Sequence, residues 1–136
     1  MKRKYMLRIK ILIAMICLPF LLSSCSKYPG GKDTVLSGGD GRFQVVHGYT
    51  FSDDLSNGES KYFLIDMEKD GDIDSDVREY YDDKRKEKLY LICGTGYIVI
   101  DYKTCSYEQH KEIDDFAQTD QTVFHDETNF ATFGQR

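Results

Sequence analysis

Two apolar β-rich runs, Leu89-Tyr90-Leu91-Ile92-Cys93 and Tyr97-Ile98-Val99-Ile100-Asp101, flank Gly94-Thr95-Gly96. No other stretch of the chain constrains its fold as strongly. Glycines between two such runs signal a tight antiparallel hairpin. They are expected at the centre of a sheet. Tyr102-Lys103-Thr104 then turns the chain into Cys105-Ser106-Tyr107-Glu108, which completes a three-stranded meander. With turns centred on Thr95 and Lys103, Cys93 faces Tyr97 and Cys105 faces Asp101. Strand spacings then hold the two thiols on the order of 16 Å apart, against a limit near 7 Å for a disulfide, so no pairing is expected.

Other segments add strands around this centre. Phe43, Val45 and His47 alternate with Gln44 and Val46, Gly48 interrupts, and Tyr49-Thr50-Phe51 continues the run. Ser56-Asn57-Gly58-Glu59 has turn composition, and Lys61-Tyr62-Phe63-Leu64-Ile65-Asp66 follows as a strand so nearly continuous in apolar character that it is expected to be covered on both faces. Ile73, Val77, Tyr80 and Tyr81 fall at helical spacing, with Asp74, Ser75 or Asp76 placed to cap and Lys84, Arg85, Lys86 and Lys88 at the end. A helix is therefore expected over 75–87. Ile113, Phe116 and Ala117 suggest one helical turn, Thr122-Val123-Phe124 a short strand, and Phe130 and Phe133 a terminal pair over the core. The expected fold is α+β: a small antiparallel sheet of about five strands with a central hairpin and one amphipathic helix packed on it. Tyr-x-x-Ile-Asp occurs twice, at Tyr62 and Tyr97. The second copy resembles a propeller-blade motif, but two blades cannot close a ring, and the pair is read as two similar core strands.

The N-terminal part is of a different kind. Residues 1–24 carry Lys2, Arg3, Lys4, Arg8 and Lys10, then the uncharged run from Ile11 to Leu22, a basic and then apolar signal-peptide pattern. As a helix that run would be about 18 Å long, short of the roughly 30 Å hydrocarbon core. Leu22-Ser23-Ser24-Cys25 closes it and resembles the lipobox of bacterial lipoproteins. That resemblance implies cleavage before Cys25, a diacylglyceryl group on its thiol, and a place on the outer face of the cell membrane or at the outer membrane. The organisation expected is a signal peptide at 1–24, a lipidated Cys25 with a Gly-rich tether at 25–41, and one globular domain at 42–136.

Cleavage would change the charge. It removes five of the 18 basic residues and none of the 23 acidic ones, so the net charge goes from −5 to −10. Such a chain repels phosphate backbones and anionic lipid headgroups, which excludes nucleic acid and favours a basic protein, a cationic peptide or a divalent metal as partner.

Within Asp66–Asp76, six carboxylates stand at alternate positions. Set against a calcium loop, Asp66, Glu68, Asp70, Asp72 and Asp74 take the ligand positions and Gly71 the turn, but Val77 stands where a bidentate Glu belongs. A bound Ca²⁺ competes here with the blander and favoured reading, a hairpin or a strand-to-helix connection turning at Asp70-Gly71. His47, His110 and His125 are scattered, no His-Glu-x-x-His, Gly-x-Ser-x-Gly or Walker-type loop is present, and no catalytic residue is assigned. The expected function is that of a membrane-anchored acidic interaction module, of the inhibitor or immunity kind. The alternative is a calcium-binding structural lipoprotein of the envelope.

The lipobox makes a direct prediction. Mass spectrometry of the mature N-terminal peptide should find it beginning at Cys25 with a diacylglyceryl adduct, and the protein should stay with membranes through a high-salt wash.

Overall fold

The computed structural model describes residues 28–50 and 59–134. Residues 1–24, Cys25 and the Asn57-Gly58 turn lie outside them. The fold is α+β, with two antiparallel sheets where one was expected. Sheet A holds β1 (Thr34–Gly38), β2 (Phe43–Thr50), β3 (Glu59–Asp66) and β4 (Gly71–Asp74), in the order β1-β2-β3-β4. Sheet B holds β5 (Val77–Asp83), β6 (Lys88–Cys93), β7 (Gly96–Asp101), β8 (Ser106–His110) and β9 (Ala131–Thr132), in the order β8-β7-β6-β5-β9. A short helix, α1 (Gln118–His125), lies between 3-10 turns at Ile113–Asp115 and Glu127–Asn129.

The expected central hairpin is present, with Leu89↔Ile100 and Leu91↔Ile98 in register. Its loop is one residue shorter than expected: Cys93 pairs with Gly96, and Asp101 pairs with Ser106 across the next turn. Alternation along these strands feeds two cores. Leu89, Leu91, Cys93, Ile98 and Ile100 meet Phe43, Val45 and Leu64 of sheet A, with Val77 beside them. On the other face, Tyr90 and Val99 meet Phe116 and Phe124. The molecule thus has three layers, sheet A, sheet B and α1, and β6 and β7 are buried from both sides.

Residues 75–87 do not form a helix. Val77–Asp83 is strand β5, and Lys84–Glu87 is the turn after it. The misleading spacing has a physical origin in a bulge between Val77 and Glu79. Val77 pairs with Cys93 and Tyr80 with Leu91, so two residues three apart face the same core. Tyr81, opposite Tyr90, faces the other one. The helix is instead formed by 118–125, where Thr122-Val123-Phe124 suggested a strand. Asp120 and Phe124, one turn apart, are its two buried residues. Gln121 Nε2 donates to the carbonyls of Asp114 and Phe116, which fastens the uncapped start of the helix.

Part of the expected tether also belongs to the domain. Thr34–Gly38 pairs with β2, and Gln44 Nε2 donates to the carbonyls of Tyr28 and Gly41. The Gly-rich composition here serves close packing, since a Cβ on Gly38 would come within 1.9 Å of the Tyr102 ring. Phe130 packs in the core under α1 and Phe133 in the core between the sheets, so the terminal pair covers both.

Because Tyr102 occupies the space left at Gly38, the Gly38→Ala variant should lose about 1–3 kcal/mol of unfolding free energy through overpacking. Urea denaturation of this variant, with the exposed Lys103→Ala as control, measures it.

Candidate functional site

Three hairpins of the protein share one turn. Asp66 pairs with Gly71, Asp83 with Lys88 and Asp101 with Ser106, each across a four-residue loop. In each, Oδ1 of the leading Asp accepts from the backbone N–H two and three residues on. The fourth loop residue, Asp70, Glu87 or Cys105, has φ near 50°. A carboxylate tying down its own loop is the usual reason Asp opens such turns.

These turns lie at one end of the molecule and are bound to each other. Arg42 Nε and Nη2 donate to the two carboxylate oxygens of Asp66, both at 2.9 Å, while Nη1 reaches Glu68 at 2.9 Å and the Cys105 carbonyl at 3.0 Å. Tyr102 N–H donates to the Glu87 carbonyl, which joins the other two turns. Hydrogen bonding to Arg42 holds the Asp66 carboxyl below its ordinary value of 3.8, against the opposing effect of burial.

That geometry settles where the calcium-candidate acids stand. Asp66 is engaged by Arg42 and its own loop, and Glu68 by Arg42. Asp70 is in the turn and Asp72, on β4, is exposed. Asp74 is buried 8 % exposed at the far end of β4, where it accepts from Thr95 Oγ1, Gln109 Nε2 and the Asp76 N–H. The segment is a β3–β4 hairpin whose turn is Met67–Asp70, with Gly71 already paired in β4. Among the described residues, no group of three or more His, Cys, Asp or Glu is placed to hold a metal ion.

The remaining reactive side chains are also dispersed. Cys93 and Cys105 are both free thiols, one buried beside Gly96 and the other in the β7–β8 turn at the opposite end. Burial pushes the Cys93 thiol up to about 12, so it is a poor nucleophile at neutral pH. His47 stacks on Tyr62, while His110 meets Phe116 edge-on and Glu108 at 2.7 Å. Asp120, which no sequence signal marks, is buried beneath α1 and accepts from Tyr90 Oη at 2.8 Å and Lys88 Nζ at 3.1 Å. Burial and this bond raise the Tyr90 phenol above its ordinary value, so it stays protonated.

The largest of the described openings lies away from the turns. β4 is short, and its ladder with β3 reaches only Leu64. Ahead of that point lies a groove of about 350 Å³, lined by Ser60, Lys61 and Tyr62 of β3 on one side and by Val77, Arg78, Glu79, Thr132 and Phe133 on the other. Its aromatic wall is Tyr62 and Phe133, the inner two rings of a stack that continues to His47 on one side and Tyr80 on the other, with ring centroids 4.6–4.9 Å apart. Such a site offers side-chain contact to an extended segment, with no convergent acid, base or nucleophile among its described residues.

Comparison with models of protein families, with curated proteins and with solved structures finds no match. No helix of the described residues is long and apolar enough to cross a membrane.

The Arg42–Asp66 pair gives a pH prediction. A carboxyl whose value is lowered on folding adds stability that is present above its unfolded value and is lost as pH falls through its folded value. Asp66→Asn should therefore lower Tm at pH 7, and the gap between wild type and variant should start to narrow near pH 4 and close only as pH falls through the lower, folded value of Asp66. Thermal melts between pH 2 and 7 measure the difference.

Proposed function

We propose that this is a lipid-anchored bacterial envelope protein whose acidic domain binds a protein partner, taking an extended basic segment into the groove between β3 and β5. The groove beside Tyr62 and Phe133 is the observation that carries this reading. An extended segment laid in such a groove is selected by the pockets that receive its side chains. Here Tyr62 and Phe133 would receive apolar side chains, while the groove's own charges balance, Lys61 and Arg78 against Asp76 and Glu79, so the preference for a basic segment comes from the domain as a whole. A domain of net charge −10 would draw such a segment in from a distance. The anchor at Cys25 keeps the protein at the membrane surface, so the partner is another envelope protein or one arriving from outside.

Affinity capture from native membranes with the tagged mature protein tests this. A partner should be retained by wild type and by Lys111→Ala, and lost with Thr132→Trp, which fills the groove. Retention in the presence of a chelator supports this reading, and loss in chelator would favour the calcium-dependent alternative.

A further inference from the structure

We propose that the end of the domain formed by the three Asp-led turns is its membrane face, with Lys84, Arg85 and Lys86, helped by Lys69 and Lys103, seated on anionic phospholipid headgroups. The proposal rests on the reading of Cys25 as the lipid-bearing residue.

Chain geometry brings this end to the bilayer. Tyr28 N–H donates to the Asp40 carbonyl, and Tyr28 lines a cavity with Asp40, Arg42, Glu68 and Cys105. The described chain therefore enters beside the turns, three residues after Cys25. Three residues span at most about 11 Å. That is close to the Debye length, about 10 Å at 0.1 M salt. Of the 17 residues expected to act as a spacer, only those before Tyr28 stand outside the described fold, so the turns are held within electrostatic reach of the headgroups.

The charges of the domain are unevenly placed along it. In the turns the leading acids are turned inward: Asp66 and Asp83 are buried, and Asp101 accepts from its own loop. The exposed charges are Lys69, Lys84, Arg85, Lys86 and Lys103 against Glu68, Asp70 and Glu87, and Glu68 is paired with Arg42. Since the mature chain totals −10, the acid excess lies outside these turns, including the exposed Glu112, Asp114 and Asp115 that follow β8. An anionic surface attracts the turn end and repels the remainder, so both forces orient the domain the same way. Clusters of basic residues next to a membrane attachment point bind anionic lipid by this mechanism.

The lipidated mature protein, reconstituted into vesicles of phosphatidylcholine alone or mixed with phosphatidylglycerol, can be acetylated with a lysine-reactive ester and mapped by mass spectrometry. Lys111, beside Gly96 at the opposite end, is the internal reference. Lys69, Lys84, Lys86 and Lys103 should be protected several-fold on phosphatidylglycerol vesicles, while Lys111 reacts equally on both. High salt should abolish the protection, as should the exposed-turn variant K84E/R85E/K86E at Lys69 and Lys103. Equal reactivity of the two ends on a protein shown to be lipidated overturns this proposal alone. An unmodified Cys25 overturns it together with the reading it rests on. Protection seen in native membranes but not on phosphatidylglycerol vesicles assigns the patch to a protein and overturns the lipid assignment.

Discussion

A single guanidinium holds the two sheets in register at one end. Arg42 has a planar fork of donors, and the structure uses three of its faces at once: two parallel bonds to Asp66, one to Glu68 and one to the Cys105 carbonyl. Asp66 closes sheet A and Cys105 lies in a turn of sheet B, so one side chain spans the layers. A lysine could neutralise Asp66 but could not satisfy this directional set. The arrangement also accounts for the leading carboxylate. Asp66 is nearly buried, and a buried charge is tolerated where its partner and its remaining lone pairs are supplied. Both come from close by, the partner from Arg42 and the rest from the loop N–H groups of Glu68 and Lys69.

How much of this could be read from residues alone depended on whether the determining interactions were local. The β6–β7–β8 meander was legible because two apolar runs around Gly94-Thr95 leave few alternatives, and its register erred by one residue at each turn. Residues 75–87 misled because a bulge at Val77–Glu79 turns strand alternation into helical spacing, and bulges leave no mark of their own. At 118–125 the β-branched Thr122 and Val123 pointed to a strand, but the helix is set by tertiary burial of Asp120 and Phe124. The single sheet became two because nothing in the chain shows that Ser75-Asp76 passes it from one layer to the next. A signal for the repeated turn was available: Asp66, Asp83 and Asp101 each end a β-rich run, at intervals of 17 and 18 residues. The Tyr-x-x-Ile-Asp echo is part of it, since its two copies are β3 and β7, each leading into that turn. Arg42 could not be foreseen, because its partners lie 24 and 63 positions away.

Under the proposed orientation the two ends of the molecule divide the work. The turns would meet the bilayer, and the groove at the start of β3 would open away from it, so that anchoring and capture do not compete for surface. The strands between them, β6 among them, are buried on both faces and transmit little flexibility. A rigid body on a tether of about 11 Å samples few orientations, which lowers the entropic cost of meeting a second membrane-bound molecule.

One consequence of the topology concerns the order of assembly. From β1 to β8, each strand within a sheet pairs with its neighbour in sequence, so hairpins can form one after another as the chain appears, with little loop entropy to overcome. The exception is β9, which returns across some fifty positions to pair with Glu79 and Tyr80 and to set Phe133 between the layers. Until residues 131–133 have emerged, the aromatic wall of the groove lacks one of its two rings. The segment that finishes the core also finishes the groove, so binding competence itself reports that folding is complete.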